Sequence, residues 1–253
     1  MLKNKKGIIE TAIQNSSLGE QATFEQLVAE LNNAGNNEER LGTVFKLYGF
    51  LSSEKKRLVN RIHPSSIRKE CVRKVYYDLT GAESNSTSGH SAGLQRIFDV
   101  GTFWHIYVQH KLHQSEIPFK SEVPVINEDL FINGSTDGVL SLEEDYLLEI
   151  KSMMSFQFSK LTTPVEDHVF QASLYATVLG IKNIVFLYIN KDSGEFKEYI
   201  VKTSKPLVRE AVQIISDVKK AVEEKTAPNR VCLNEYTNVA LACPYRDTCF
   251  GLK

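Results

Sequence analysis

Residues 146–151 form a short apolar segment that carries two charged side chains, Glu149 and Lys151. The other four residues are Tyr, Leu, Leu and Ile, which predicts a largely buried β-strand. Side chains alternate between the two faces of a strand, so Glu149 and Lys151 share one face. A Glu-x-Lys pair is commonly a solvated cross-strand ion pair. In so apolar a strand, however, charges need a partner or a chemical task.

Asp137 supplies a second carboxylate at the predicted end of the preceding strand, residues 130–137. Eleven residues separate it from Glu149, which is enough for a hairpin that brings the two strand ends together. Two carboxylates at a strand edge form a hard-oxygen site that suits Mg²⁺ or Mn²⁺. The adjacent Lys151 ammonium would neutralise charge on a phosphate or hold the attacking water. The pattern therefore indicates metal-assisted phosphodiester hydrolysis.

The rest of the chain alternates between helical and strand patterns. Helices are predicted at 24–31, 38–51, 64–75, 94–113, 165–180 and 207–224. Strands are predicted at 119–125, 130–137, 146–151, 184–189 and 198–201. The dipeptides Asn133-Gly134 and Asp137-Gly138 predict turns or strand ends, and the small, polar residues 81–93 predict an exposed loop. This order indicates one mixed α/β core over residues 61–253, preceded by a helical N-terminal extension, residues 1–60.

The overall charge argues against a protein that binds nucleic acid through general basicity, because 30 Lys and Arg nearly balance 31 Asp and Glu. Positive charge is concentrated in residues 54–74, which hold eight basic and two acidic residues. This stretch is either a solvated helix face or a surface that follows DNA phosphates. Tyr76 and Trp104 could stack on unpaired bases, although Trp104 is equally typical of a core. The candidate DNA contacts are Arg68, Lys69, Arg73, Lys74, Tyr76 and Trp104.

The four cysteines are unevenly placed, with Cys71 upstream and Cys232, Cys243 and Cys249 within the last 22 residues. The basic start of the chain lacks the apolar region of a signal peptide, and no apolar run approaches the ~18 residues that span a bilayer. We therefore expect a cytoplasmic protein without membrane attachment (host cytoplasm if the chain is viral), where clustered thiols more often bind metal than form disulfides. Four thiolates suit a [4Fe–4S] cluster or a structural Zn²⁺, and unrelated free thiols remain an alternative.

Asp137 followed by Glu149-Ile150-Lys151 resembles the signature of the PD-(D/E)XK nucleases. Two further motifs resemble those of the RecB-like branch of that family. Residues 101–105, GTFWH, look like its Gly-x-x-x-His motif, and residues 171–175, QASLY, look like its Gln-x-x-x-Tyr motif. All of these motifs occur in the expected order. The resemblance implies a restriction-endonuclease-like core in which helices flank a central mixed sheet.

The same resemblance implies a role for each matching residue. The implied ligands of Mg²⁺ or Mn²⁺ are His105, Asp137, Glu149 and the carbonyl of Ile150. Lys151 would be the catalytic lysine, and Gln171 and Tyr175 would line the active site. Positions i and i+4 of a helix project together, which agrees with a shared role for Gln171 and Tyr175.

The segment 67–77, IRKECVRKVYY, resembles the cysteine segment that precedes the core in iron–sulfur members of the branch. These members include CRISPR-associated adaptation exonucleases and AddB-type helicase–nucleases, whose other cysteines usually follow the core as Cys-x₂-Cys-x₅-Cys. Cys243 and Cys249 keep the second spacing, but ten residues separate Cys232 from Cys243. The resemblance implies a [4Fe–4S] cluster on the four cysteines, with Zn²⁺ as the alternative. Such a cluster would crosslink positions 161 residues apart.

The resulting functional prediction is a metal-dependent DNA exonuclease that acts on single-stranded ends in recombination, replication or repair. The compact size resembles stand-alone viral or CRISPR-associated members, so a recombinase, a helicase or a CRISPR adaptation protein is a possible partner. Two alternatives remain open. One is an iron–sulfur subunit that binds DNA ends without activity, and the other is a toroidal double-strand exonuclease. The oligomeric state and the polarity of digestion are not predicted.

Overall fold

A central sheet of five strands organises the chain in the computed structural model, which describes residues 24–52, 62–67, 71–84 and 92–252. The strands are β1 (Phe119–Asn127), β2 (Ile132–Ser141), β3 (Asp145–Met153), β4 (Asn183–Asn190) and β5 (Phe196–Lys202). The helices up to β1 are α1 (Phe24–Asn33), α2 (Asn37–Ser52), α3 (Pro64–Ile67), α4 (Val72–Thr80) and α5 (Ala92–His113). The later helices are α6 (Ser155–Lys160), α7 (Glu166–Val178), α8 (Lys205–Glu223), α9 (Asn238–Leu241) and α10 (Arg246–Phe250).

The sheet has the strand order β1-β2-β3-β4-β5, and its pairs are antiparallel except for the parallel pair β3–β4. A parallel pair needs a crossover connection, and α6 and α7 supply it between β3 and β4. All eight residues of β4 are buried, as expected for a central strand that is covered on both faces. The predicted α/β fold with a central mixed sheet flanked by helices is therefore confirmed.

Two hydrophobic clusters cover the two faces of the sheet. One face packs against α4, α7 and α8, with Phe170 and Tyr188 among its fully buried side chains. The other face packs against α5, where Val108 and Leu112 contact a cluster that includes Leu148. We call these the α7 face and the α5 face. Among the described residues, α1 and α2 pack on each other and on α5, and no helix there is both long and apolar enough to cross a bilayer.

The region around Cys71 differs from the prediction of one helix over residues 64–75. The structure has two helices, because α3 ends at Ile67 and α4 begins at Val72. Cys71 has φ −59° and ψ 126°, a non-helical backbone, and its carbonyl accepts the first hydrogen bonds of α4 from Lys74 and Val75. The Cys71 thiol therefore stands at the start of α4 rather than on a helix face.

The glycines of β2 lie within the strand, so the prediction of turns or strand ends at Gly134 and Gly138 is wrong. A Cβ on Gly134 would lie 2.4 Å from the Tyr175 hydroxyl, and one on Gly138 would lie 2.2 Å from Cε2 of Phe119. Both glycines are needed because an aromatic ring packs directly on the strand. The strand continues to Ser141, and Asp137 lies inside it rather than at its end. Residues 85–91 of the predicted loop lie outside the described residues.

Candidate active site at the fork between two strands

The strands β2 and β3 separate at Asp137. Their pairing runs from Ser141↔Asp145 to Gly138↔Leu148 and stops there. Beyond this point β2 follows β1 back to Ile132, whereas β3 follows β4 to Met153. We call the resulting opening between Asp137 and residues 149–151 the fork.

The alternation of side chains along β1 reverses opposite the fork. Phe119 packs on the α5 face, whereas Val123, four residues later, packs on the α7 face. Strict alternation would keep them on one face. Between them, Glu122 has φ +49°, which is uncommon for a residue other than glycine and typical of a local break in a strand.

The strand β2 shows the same reversal. Gly134 lies under Tyr175 on the α7 face, whereas Gly138 lies under Phe119 on the α5 face. Asp137 lies between them, where strand pairing with β3 ends. The reversal turns this residue so that its carboxylate reaches the backbone of β3 instead of continuing the pattern of the strand.

The carboxylate of Asp137 has a partner on each oxygen. Oδ2 accepts a hydrogen bond from the Ile150 amide at 2.6 Å, and Oδ1 lies 3.1 Å from Nδ1 of His105 on α5. Next to it, the Thr136 hydroxyl donates to the Leu148 carbonyl at 2.9 Å. Side chains of β2 thus bond to the β3 backbone where the ladder has ended.

The pair of Asp137 and His105 is electrostatically matched. Burial raises the pKa of Asp137, but the His105 ring, the Lys151 charge and the hydrogen bond from Ile150 outweigh burial and lower it. Burial lowers the pKa of His105, but the Asp137 carboxylate outweighs burial and raises it. Asp137 therefore stays ionised, and His105 binds a proton readily when no cation competes for its ring.

Glu149 and Lys151 lie on one face of β3, as the period of two predicts, and form an ion pair of 2.5 Å. The pair is not a solvated surface pair, because Glu149 is only 2% exposed. Burial raises the pKa of Glu149 despite the opposing charge of Lys151. Burial lowers the pKa of Lys151, but Glu149 and Asp137 outweigh burial and raise it. Lys151 is therefore a cation held at the fork.

The helix α7 crosses three strands above this pair. His168 near its start stacks on Tyr188 of β4, with 3.0 Å between Nδ1 and the hydroxyl, and Tyr175 near its end covers Gly134 of β2. Gln171 lies on α7 between these two residues and shares a helix face with Tyr175.

The four cysteines line one cavity of about 200 Å³ between α4 and the C-terminal tail, which we call the cysteine cavity. Two polar contacts join its walls: the Tyr245 hydroxyl donates to Asp78 at 2.7 Å, and Arg73 donates to the Pro228 carbonyl at 2.6 Å. Burial raises the pKa of the Cys243 thiol, and the neighbouring Cys249 and Cys71 raise it further. The lining cysteines are Cys71, Cys232, Cys243 and Cys249.

The predicted DNA contacts do not gather at the fork. Arg73 donates to Tyr77 and Pro228, and Lys74 lies 3.4 Å from Asp78, so both are engaged at the cysteine cavity. Tyr76 packs edge-on against Tyr77 on the same helix. Trp104 packs edge-on against Phe196 and Tyr107. Arg68 and Lys69 lie outside the described residues.

In ranges 24–52, 62–67, 71–84 and 92–252, no three His, Cys, Asp or Glu side chains form a group that holds a metal ion. At the fork the candidate ligands are instead paired, Asp137 with His105 and Glu149 with Lys151. Their chemistry still fits a divalent cation, because carboxylate oxygens and an imidazole suit Mg²⁺ or Mn²⁺. Four thiols on one cavity likewise fit an iron–sulfur cluster or Zn²⁺ by donor type.

Two polar residues beside the fork were not predicted from the sequence as site residues. Gln109 is fully buried on α5, and Glu122 occupies the break in β1. A single glutamine in a helix and a single glutamate in a strand carry no local signal of function. A motif spacing would not have found them either, because their relation to Asp137 arises from the packing of α5 on the sheet.

No family model matches the sequence, and no curated protein matches it. Among solved structures, SSO0001 is similar with a TM-score of 0.50 and 16% identity, over 81% of this chain and 96% of that one. An alkaline exonuclease from Laribacter hongkongensis, LHK-Exo, is similar with a TM-score of 0.50 and 14% sequence identity, over 66% of this chain and 90% of that one. The structure of LHK-Exo in complex with dAMP has a TM-score of 0.51 and 15% sequence identity, over the same shares of the two chains. At these identities the likeness concerns the fold alone.

Proposed function

We propose that this chain is a metal-dependent DNA exonuclease of the RecB-like PD-(D/E)XK type that hydrolyses phosphodiester bonds at single-stranded ends. The observation that carries the proposal is the meeting of Asp137, Glu149 and Lys151 at the fork, beside His105. The nuclease fold shared with an alkaline exonuclease supports the same reaction class. Recombination, replication and repair are the processes that consume such ends.

The cation would be held by the carboxylates of Asp137 and Glu149, the ring of His105 and the carbonyl of Ile150. The Ile150 amide already points across the fork to Asp137, and the amide and carbonyl of one strand residue point to the same side. The Ile150 carbonyl is therefore directed into the fork. A bound divalent cation would activate water and neutralise phosphate charge.

Lys151 and Asp137 have charges that suit this chemistry. Lys151 stays protonated because Glu149 and Asp137 raise its pKa against burial, so it can bind a phosphate oxygen or hold the attacking water. Asp137 stays ionised because its pKa is lowered. Gln171 and Tyr175 on α7 would line the active site and orient the DNA strand or the water.

We further propose that the four thiols of the cysteine cavity hold a [4Fe–4S] cluster, with Zn²⁺ as the alternative. The cavity gathers Cys71 from the start of α4 and three cysteines from the tail. A metal bound there would crosslink the two ends of the nuclease core and offset the closure entropy of a long loop. It would take no part in hydrolysis, which belongs to the fork.

The test of the nuclease is digestion of end-labelled single-stranded DNA with Mn²⁺ or Mg²⁺. We expect activity in the wild type and its loss in Asp137→Asn and Lys151→Met. Lys202→Met is the matched control, because Lys202 is an exposed lysine on the same sheet outside the fork. Equal activity of wild type, Asp137→Asn and Lys151→Met would reject the fork as the active site.

The same assay separates the two alternatives. Preferential digestion of linear duplex over single strands, with no attack on a nicked circle, would identify a toroidal double-strand exonuclease. Tight binding of DNA ends without metal-dependent cleavage would identify a binding subunit. Digestion of single strands from their ends supports the proposed function.

The cluster is tested on protein purified without oxygen. We expect a brown protein with iron and sulfide, whose visible absorbance bleaches on reduction. Serine variants of Cys71, Cys232, Cys243 and Cys249 should each lose this absorbance. A colourless protein that contains one zinc per chain would show that the site binds Zn²⁺ instead of a cluster. The Cys232 variant tests whether Cys232 is a ligand despite the ten residues that separate it from Cys243.

A further inference from the structure

Gln109 reaches the backbone of Asp137 from the helix that also carries His105. It is fully buried, and its Nε2 donates to the Asp137 carbonyl at 2.8 Å. His105 and Gln109 are four residues apart on α5, so they project from the same face. One helix face therefore contacts Asp137 at two points, His105 at the carboxylate and Gln109 at the main-chain carbonyl.

The second proton of the Gln109 amide goes to Glu122, whose Oε1 accepts it at 2.8 Å. Oε2 of Glu122 accepts from the Ser135 hydroxyl at 3.4 Å. In the β1–β2 register, the pairs Ser121↔Gly138 and Val123↔Thr136 leave Glu122 opposite Asp137. Glu122 thus joins α5 to β2 at the position where both strands reverse their alternation.

The backbone of Glu122 is held in a costly conformation. A non-glycine residue at φ +49° persists only where surrounding contacts maintain it, and such residues concentrate at functional sites. The hydrogen bonds to Gln109 and Ser135 are among the contacts that surround Glu122 here. They hold the break in β1 that allows Asp137 to turn towards β3.

We propose that Gln109 and Glu122 are positioning residues for Asp137, which fix its backbone so that its carboxylate faces the cation and the Ile150 amide. This inference rests on the proposed function for its catalytic consequence. Without the Gln109 amide, the Asp137 carbonyl loses its donor, and the strand relaxes towards regular alternation. The carboxylate then leaves the Ile150 amide and the cation position.

The variant Gln109→Leu tests this role, because it keeps the volume and removes both hydrogen bonds. We expect Mn²⁺ affinity to fall about tenfold in calorimetric titrations without DNA, and kcat to fall about tenfold or more with KM unchanged within about twofold. The Ile150 amide should exchange with solvent faster by NMR. Gln95→Leu is the matched control, since Gln95 lies on the same helix and its one described hydrogen bond, to Asp99, is solvent-exposed.

Glu122→Gln and Glu122→Ala separate positioning from ligation. The glutamine keeps an acceptor for the Gln109 amide, so a positioning role predicts near wild-type Mn²⁺ affinity for Glu122→Gln and a loss for Glu122→Ala. Equal loss in both variants would make Glu122 a cation ligand and overturn its positioning role. If Gln109→Leu lowers the melting temperature while Mn²⁺ affinity, kcat and Ile150 exchange stay unchanged, Gln109 is merely structural.

The outcomes also distinguish this inference from the proposed function. Absence of nuclease activity in the wild type would reject the proposed function. Mn²⁺ affinity and Ile150 amide exchange need no substrate, and they would still support or overturn the positioning role. Both readouts at wild-type values in Gln109→Leu and Glu122→Ala would overturn it.

Discussion

The fork and the cysteine cavity are built in opposite ways. At the fork, Asp137, Glu149 and Lys151 come from two neighbouring strands, and each charged group already has a partner within 3.1 Å. The cysteine cavity joins segments 161 positions apart, and its thiols line a space of about 200 Å³ without forming a compact group. Strand register and hydrogen bonds therefore hold the fork together, whereas the walls of the cavity are joined by the Tyr245–Asp78 and Arg73–Pro228 hydrogen bonds and, in our proposal, by a bound cluster. Changes at one region should leave the other largely intact.

The largest effect is expected at the fork itself. Lys151→Met should lower kcat by roughly 10³-fold or more, about 4 kcal/mol of activation free energy, because the cation beside the developing charge is lost. If the cysteine cavity holds the proposed cluster, its visible absorbance should stay unchanged in this variant. Single-turnover digestion of end-labelled DNA and an absorption spectrum measure both. Loss of the absorbance in Lys151→Met would contradict the independence of the two regions.

Removal of a thiol should lower the stability of the protein and leave kcat nearly unchanged. If the cavity holds the proposed cluster, Cys243→Ser should lower the free energy of unfolding by about 4 kcal/mol, because the proposed crosslink over a long loop would be lost. At low temperature, kcat should stay within about threefold of the wild type, since the fork does not depend on the cavity. Urea unfolding followed by tryptophan fluorescence and an assay at 10 °C or so would check this. A loss of kcat as large as in Lys151→Met would show that the cavity supports the fork directly.

Local pattern was enough to place most of the sheet and the charged pair. The period of two put Glu149 and Lys151 on one face, and each predicted strand overlaps an observed one. The helices α5, α7 and α8 were also located by their apolar spacing. These features depend on neighbours a few residues away in the sequence, which is the range over which periodicity carries information.

The features that position Asp137 depend on distant residues and could not be predicted. In the sequence, Gly134 and Gly138 resemble turn residues. Only the folded structure shows that the rings of Tyr175 and Phe119 pack on them and leave no room for a side chain. The turn at Cys71 and the helix α6 were missed for a similar reason. Sequence pattern likewise gives no sign that the guanidinium of Arg73, a predicted DNA contact, donates to the Pro228 carbonyl of the C-terminal tail.

A smaller effect is expected where α7 packs on β2. Gly134→Ala should destabilise the fold by about 2 kcal/mol, because the new Cβ would lie 2.4 Å from the Tyr175 hydroxyl and force the ring to move. The double variant Gly134→Ala with Tyr175→Phe should recover part of that stability. If the hydroxyl acts at the active site, the double variant should not recover kcat. Recovery of both would give Tyr175 a packing role only.

The smallest effect concerns pH and the pair of His105 and Asp137. The pKa of His105 is raised by the Asp137 carboxylate against burial, so the folded, metal-free protein binds this proton more tightly than the unfolded chain does. The pair therefore contributes stability below about pH 6.5, and this contribution is lost as pH rises through the folded pKa. Asp137 stays ionised over this window because its pKa is lowered.

His110 and His113 act in the opposite direction, because burial lowers their pKa values to about 4. Below about pH 6.5 they favour the unfolded chain, where they bind protons more readily. The difference between wild type and His105→Gln isolates the contribution of His105, which we expect to be about 1 kcal/mol at pH 6 and to vanish at high pH. Urea unfolding at pH 6 and pH 9 in the presence of a chelator measures it. A difference that grows with pH would mean that His105 is neutral in the folded, metal-free protein and is not paired with Asp137.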